Sequence, residues 1–304
     1  MKNHVSIILL NYNQYSDTIE CLGSLLKCTY ENFSLIIIDN GSKDGSLIEF
    51  NNWFHKRSKD EKKKIIIIAN KENIGFSAGN NIGIKYALKN YQSDYLWVLN
   101  TDTVVEPDAL STLVICSEGK NVCGSKLIYY DHRDKVQAYG GGYIHSLIGT
   151  SRDCTDNNLR KDKYGQIKLD YICGASMLLP ANALKEVGLF DESYFLYFED
   201  ADLSKRMSLA GYPLKYCSNS IVYHKVGKST RASNPTNKPL LPDIESIKNR
   251  FAYIRRYMPK AIIFFSYVSL IITVIRRIQR RQLSRIHIII KAAITLKNPL
   301  LPPS

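Results

Sequence analysis

The first hundred residues repeat one pattern. A short, unbroken apolar run is followed at once by a polar cluster, and then by a longer stretch in which apolar residues recur at helical spacing. Val5-Ser6-Ile7-Ile8-Leu9-Leu10 stops at Asn11-Tyr12-Asn13, and Leu35-Ile36-Ile37-Ile38 stops at Asp39-Asn40-Gly41-Ser42. Ile65-Ile66-Ile67-Ile68-Ala69 leads to the loop Asn73–Asn81, and Tyr95-Leu96-Trp97-Val98-Leu99 stops at Asn100-Thr101-Asp102. The segments between predict helices over Asp17–Lys27, with Ile19, Leu22, Leu25 and Leu26 on one side, over Leu47–His55, and from the Asn73–Asn81 loop to Asn90. Runs that are apolar on both faces and alternate with helices predict an α/β fold with a mostly parallel central sheet covered on both sides. From Lys120 to Lys168 the pattern weakens. Gly140-Gly141-Gly142 and the polar run Ser151–Lys163 there predict a loop-rich insertion near the site. Order resumes at Tyr171, with a helix expected over Asn182–Val187 and a further β-like run ending at Tyr223-His224.

In each of the four early units the polar cluster follows the strand directly. Open α/β sheets bind ligands at the carboxyl ends of their strands, so the clusters are expected to converge on one crevice. Strand-to-helix loops also need Asn, Asp and Gly simply to turn, which is the plainer account of any single cluster.

Three places carry candidate chemistry. Asp102 offers a carboxylate that can coordinate a hard divalent cation bridging two phosphates; with Pro107 nearby, it equally suits a helix start. Glu199-Asp200-Ala201-Asp202 places three carboxylates in four residues behind the aromatic run Tyr194–Phe198. Crowding raises the pKa of at least one and suits a proton acceptor, whereas acids in a first helical turn also complement the helix dipole. His224 could complete a metal's coordination or be an ordinary histidine, and Lys225, Lys228 and Ser229 could meet phosphate oxygens or remain solvated.

Charge changes the picture at the C-terminus. The net charge of +13 over 304 residues resembles that of a nucleic-acid binder, but the last 61 residues alone carry +11, leaving +2 for the first 243. The excess flanks Ala261–Ile275, fifteen residues without a charge. As a helix this run is about 22 Å long, short of a roughly 30 Å hydrocarbon core. It can lie on an anionic membrane surface, span a thinned one, or pack on the catalytic domain or a partner subunit. Residues 1–243 are therefore expected to form the catalytic domain and 244–304 a basic, apolar helical segment. No aromatic-basic RNA motif accompanies the charge, so no nucleic-acid partner is expected. Seven cysteines without Cys-x-x-Cys pairing, and an N-terminal apolar run too short for a secretory leader, place the chain in the cytoplasm.

Taken together, Leu10-Asn11-Tyr12-Asn13, Ile38–Ser46, Asn73–Asn81, Leu99-Asn100-Thr101-Asp102, Glu199–Leu203 and Tyr223-His224 closely resemble family 2 glycosyltransferases of the GT-A fold, in the expected order from Val5 to Ser229. The most similar branch holds bacterial rhamnosyltransferase-like enzymes of cell-surface polysaccharide synthesis. That resemblance implies an inverting transfer from a nucleotide-sugar donor, dTDP-rhamnose or a UDP-sugar, to a glycan or lipid-linked glycan, at the inner face of the cell membrane. It implies Mg²⁺ or Mn²⁺ held by Asp102 and His224, and Asp200 as the general base. Donor contacts would come from Asn11, Tyr12, Asn13, Asp39, Asn73, Gly75 and Asn100, with Asp39 accepting from the pyrimidine. Gly174, Ala175 and Glu199 would shape the acceptor side. The chain departs from the family at Asn100, where a fuller metal motif has an aspartate. A sugar nucleotidyltransferase is the alternative enzyme, and a basic membrane-bound or RNA-binding non-enzyme the alternative outside catalysis. A nucleotidyltransferase, however, should carry a Gly- and basic-rich loop where Asn11-Tyr12-Asn13-Gln14 stands.

Overall fold

A computed structural model describes residues 3–226 and 240–279, together with Ile286 and Ile290. Lys228, Ser229 and the basic residues beyond Gln279 lie outside the described residues. In chain order the elements are β1 (Val5–Asn11), α1 (Tyr15–Leu25), β2 (Phe33–Asp39), α2 (Ser46–His55), α3 (Lys59–Lys63), β3 (Ile65–Ala69), α4 (Phe76–Asn90), β4 (Tyr95–Asn100), β5 (Thr103–Val105), α5 (Ala109–Ser117), β6 (Val122–Tyr129), β7 (His132–Tyr139), β8 (Gly141–Ile144), β9 (Ser151–Asp153), β10 (Tyr171–Ile172), β11 (Ser176–Pro180), α6 (Ala181–Val187), α7 (Glu199–Leu209), β12 (Leu214–His224), α8 (Leu240–Tyr257) and α9 (Lys260–Gln279).

The main sheet runs β3-β2-β1-β4-β11-β6-β12-β5, with β7 also paired to β6. Its first four strands are parallel, as their unbroken apolar runs predict. The second half is mixed: β11 lies antiparallel between β4 and β6, β12 runs parallel to β6, and β5 is antiparallel to β12. Alternation along each strand divides the core into two layers. Val5, Ile7 and Leu9 of β1 face Leu22 and Leu25 of α1, Phe50 of α2 and Leu110 of α5, whereas Ile8 faces the layer holding Ile84 of α4, Leu184 of α6 and Leu203 and Met207 of α7.

The expected loop-rich insertion is largely sheet. β6 is an interior strand, and β8, β9 and β10 form a small antiparallel sheet in the order β10-β8-β9. Its apolar pattern is broken because the local packing needs small residues. A Cβ on Gly124 of β6 would stand 2.1 Å from the carbonyl oxygen of Gly140, and one on Gly141 would stand 1.9 Å from that of Tyr171. Ser125 Oγ lies 2.7 Å from Ser176 Oγ and 2.8 Å from Ser220 Oγ, a buried hydroxyl chain that ties three strands of the sheet together. Gly140–Gly142 thus marks a close approach of backbones.

At the C-terminus, Pro259 separates α8 from α9, since its ring clashes with a continuing helix. The 243/244 division falls within α8. α8 packs on α7: Tyr253 joins Tyr194, Phe198 and Ala201 in one buried cluster, and Arg256 Nη1 reaches Asp191 at 2.8 Å and Asp202 at 3.1 Å. Phe251 is fully buried against Tyr267 and Leu270 of α9. Among the described residues no helix is long and apolar enough to cross a membrane.

Gly124→Ala is expected to destabilise the protein by about 3 kcal/mol, because the new methyl meets backbone that cannot rotate away. Urea unfolding followed by circular dichroism measures this.

Candidate active site

Register builds the site. Asn11 pairs with Asp39, Leu10 with Asn100, and Asp39 with Ala69, so the polar clusters come level at one edge of the sheet. Above that edge lies a cavity of about 690 Å³. Tyr12, Asn13, Asn73, Gly75, Asn100, Asp102, Gly174, Ala175, Glu199, Asp200 and His224 all line it. Asn11 and Asp39 do not form its wall. Both are buried beneath it, with Asn11 Nδ2 donating to Asp39 Oδ1 at 2.8 Å and to Ser42 Oγ at 3.0 Å. Two lining residues carry more of the architecture than their place in the sequence suggests. Asn40 donates to Asn73 Oδ1 at 2.9 Å and to the Gly75 carbonyl at 3.2 Å, and accepts from Asn70, which joins the β2 and β3 loops. Gly75 has φ +90°, and a Cβ there would stand 2.7 Å from the Phe195 ring and carbonyl.

Asp102 and His224 arrive from different strands. Lys225 N donates to the Asp102 carbonyl at 2.9 Å, which holds the end of β12 against the loop after β4. His224 Nε2 then lies 3.2 Å from Asp102 Oδ1, with both side chains buried. His224 Nδ1 is 2.8 Å from Gln137 Oε1 of β7. In the neutral tautomer that carries its proton on Nδ1, Nδ1–H donates to that amide oxygen and Nε2 presents its lone pair beside the carboxylate. Two electron-pair donors facing each other become cohesive once a cation joins them. Adjacent donors on an octahedral ion with bonds of about 2.1 Å stand roughly 3 Å apart, so the pair fits a hard divalent metal. Among the described residues no group of three such side chains forms a complete cage, which leaves room for ligands from phosphate and water. Lys225, considered above for phosphate, is committed elsewhere: its Nζ is paired with Asp17 and Glu20 of α1.

The three acids of α7 have three different environments. Asp202 is fully buried and structural, bound by Arg206 Nε at 2.8 Å, Arg256 Nη1 at 3.1 Å and Tyr257 OH at 2.6 Å. Glu199 is buried, and its Oε2 has no hydrogen-bond partner among the described residues. Burial first, then the neighbouring Asp200, push Glu199 well above the ordinary carboxylate range. Asp200 faces the cavity, accepting from Gly174 N at 3.0 Å and Ala201 N at 2.8 Å. Burial raises its carboxyl to about 6, partly offset by those two N–H donors and assisted by the negative charge of Asp153. A carboxyl lifted to that level suits proton acceptance near neutral pH.

The turn before α7 is strained. Tyr197 and Phe198 have φ of 72° and 71°, a left-handed conformation that costs bulky side chains on the order of 1–3 kcal/mol each. It is gripped from α4, where Phe76 N donates to the Phe195 carbonyl at 2.7 Å and Ser77 Oγ to that of Tyr194 at 2.6 Å.

The α/β architecture is that of the GT-A glycosyltransferases, to which the chain is similar in fold. Residues 6–188 match the profile of glycosyl transferase family 2, and the chain belongs to that family. It is 28% identical over 217 residues to the rhamnosyltransferase WbbL of Escherichia coli K12, covering 60% of this chain and 79% of that protein. It is 22% identical over 250 residues to an N-acetylglucosaminyl-diphospho-decaprenol L-rhamnosyltransferase of Mycobacterium tuberculosis, covering 76% and 78%. In fold it is similar to the mannosyltransferase PcManGT of Pyrobaculum calidifontis, solved with GDP-Man and Mn²⁺, with a TM-score of 0.62 at 12% identity over 97% of this chain and 87% of that one.

The raised Asp200 carboxyl makes a prediction about stability. Its native state holds the proton up to about pH 6, so its favourable contribution is complete at acid pH and is lost as pH rises through 6. Asp200→Asn should therefore melt above the wild type at pH 8 and level with it at pH 3, as differential scanning calorimetry would record.

Proposed function

We propose that the protein is an inverting, divalent-metal-dependent hexosyltransferase of cell-surface polysaccharide synthesis. Its donor is a nucleoside diphosphate sugar, with dTDP-rhamnose first and UDP-sugars next, and its acceptor a hydroxyl of a glycan or lipid-linked glycan. The observation that carries the reading is that Asp102 and His224, brought by two strand ends, share one cavity with Asp200 from α7. The rhamnosyltransferase names of two relatives, one with a diphospho-decaprenol acceptor, favour the sugar and the lipid-linked acceptor.

In this reading Tyr12, Asn13, Asn73, Gly75 and Asn100 bound the donor. Asp39, expected to meet the pyrimidine directly, lies beneath the wall with its oxygens taken by Asn11 Nδ2 and Ser42 N, and in this reading braces the loop on which the base rests. Asp102 and His224 hold Mg²⁺ or Mn²⁺, which when bound neutralises charge on the diphosphate. Asp200, anchored by the Gly174 and Ala201 amides, takes the proton of the acceptor hydroxyl. The hydroxyl oxygen bonds to the anomeric carbon as the bond from that carbon to the diphosphate oxygen breaks, and the electron pair leaves with the nucleotide. A single displacement inverts the configuration. Gly174 and Ala175 border the acceptor position, and Glu199, in its protonated form, has a proton to donate to it.

α9 supports a place on the inner face of the membrane. Phe264, Val268, Ile271, Ile275 and Ile278 are exposed at spacings of four and three residues, one stripe of a helix that contains no acid. Such a face beside basic ends suits an anionic bilayer surface.

Two experiments test these proposals. In a screen of nucleotide sugars with and without Mn²⁺, one donor should be consumed only with the metal. Asp200→Asn should lower kcat by about 10²–10⁴-fold while leaving donor binding intact, and Glu199→Gln should stay within about fivefold of wild type. Near-normal turnover of Asp200→Asn would remove it from the base role. Separately, the protein should sediment with vesicles containing anionic lipid, and the double variant Phe264→Asp/Ile271→Asp should not; equal sedimentation of both would refute the membrane assignment.

A further inference from the structure

The strained turn that delivers Asp200 is held from the far side by one side chain of α8. Asn249 is 1% exposed, lies 50 residues downstream of Glu199, and belongs to none of the polar clusters at the sheet's carboxyl edge. Its Nδ2 donates to the carbonyl of Leu196 at 2.9 Å and to that of Tyr197 at 3.0 Å. Glu245 Oε2, one turn earlier on α8, lies 3.4 Å from the same nitrogen and orients the amide. Those two carbonyls belong to the peptide units on either side of Tyr197. One amide group that binds both carbonyls holds these two peptide units in a fixed relation and so restrains the dihedrals of Tyr197, whose φ is 72°. The next carbonyl, that of Phe198, accepts from Asp202 N at 2.8 Å and starts α7. Tyr253, one turn further along α8, packs its ring against Phe198 at 5.8 Å.

We propose that Asn249 is a positioning residue for the transfer reaction: its amide holds the Leu196-Tyr197-Phe198 turn in the left-handed form that aims the Asp200 carboxylate into the cavity. The inference rests on Asp200 being the base. Geometry links the two. Asp200 is the second residue of α7, and both hydrogen bonds that hold its carboxylate, from Gly174 N and Ala201 N, depend on where that helix begins. Without the amide, the turn relaxes toward right-handed φ, the first turn of α7 shifts, and those two bonds lengthen. The donor side, built by the ends of β1 to β4, meets this segment at Tyr194 and Phe195, through Ser77 and Phe76, one residue before the Leu196 and Tyr197 carbonyls that Asn249 binds. Those bonds go to other carbonyls than the two held by Asn249, so the loss falls on kcat more than on the donor KM.

The ionisable groups facing Asp200 are Glu199 on its own helix, Asp153 of β9, Tyr171 of β10 with the adjacent Cys173, and Tyr253 of α8. None is replaced by a change at Asn249. Weakening the Gly174 and Ala201 bonds removes donors that favour the ionised carboxylate, so the acidic limb of the kcat profile should move upward.

The test is a double-mutant cycle on the full chain, with steady-state kinetics as a function of pH. Asn249→Ala should lower kcat by about 30-fold, keep the donor KM within about twofold, and raise the acidic limb by about half a pH unit. Asn249→Asp, equal in size but with a charged acceptor against two carbonyls, should lose more than Asn249→Ala. Tyr197→Gly supplies the second arm, because glycine adopts positive φ without strain. In that background Asn249→Ala should cost less than about fivefold. If Asn249→Ala alone fails to fold, the Tyr197→Gly/Asn249→Ala protein should still fold and turn over. The proposal is overturned by an equal loss in both backgrounds, by a loss confined to the donor KM, by an unmoved acidic limb, or by a double variant that is also unfolded. Asp200→Asn separates the two levels: if it stays active the base assignment fails, whereas if it is inactive and Asn249→Ala is normal only the positioning role fails.

Discussion

Everything at the site depends on the register of the parallel strands. Because β1 and β2 are paired so that Leu10 and Ile38 come level, Asn11 and Asp39 arrive at the same height, and Asn100 of β4 stands one residue earlier, opposite Leu10. A shift of one residue would turn Ile8 toward the α1 layer and lift Asp39 out of reach of Asn11. Two differently packed layers on opposite faces make that shift prohibitive. Hydrophobic burial, which is indifferent to chemistry, thereby sets polar side chains to within a hydrogen bond of one another.

Three acids in one turn of helix show how little residue type alone decides. Asp202 is surrounded by two guanidinium groups and a phenol, and serves as a buried anchor between α7 and α8. Among the described residues Glu199 meets no donor at one oxygen, and burial pushes its carboxyl well above the ordinary range. Asp200 meets two backbone amides and remains able to exchange a proton near neutrality. The separation arises from what each carboxyl can reach, and α8 supplies much of it.

The parallel half of the fold was legible because its strands are buried on both faces and so read as unbroken apolar runs; the bounds of β3 and the end of α4 at Asn90 follow from the pattern, whereas Phe76–Asn81, expected as loop, is the first part of α4. β6 was hidden because an interior strand reading Val-Cys-Gly-Ser-Lys-Leu-Ile-Tyr gives up apolar bulk to a backbone contact and a hydroxyl chain. Within the site, Asp102, Asp200 and His224 stood out as charged or imidazole groups at element ends. Gln137 and Asn249 did not. Each acts across the fold, 87 residues from His224 and 52 from Tyr197, and a neutral amide inside an ordinary-looking segment leaves no local signature. Asn40 was visible only as part of a turn, although its side chain joins two loops.

The packing of α8 on α7 bears on how such a protein can be divided. A basic, partly apolar C-terminal stretch invites removal at the point where its composition changes, yet Asn249, Tyr253 and Arg256 all lie beyond residue 243 and all touch the segment that carries the acidic turn. The natural joint in the molecule is Pro259, between the two last helices. Exchange of C-terminal tails between related chains would keep the packing of α7 on α8 intact only if the cut were made there, so the packed unit is longer by one helix than its charge distribution suggests.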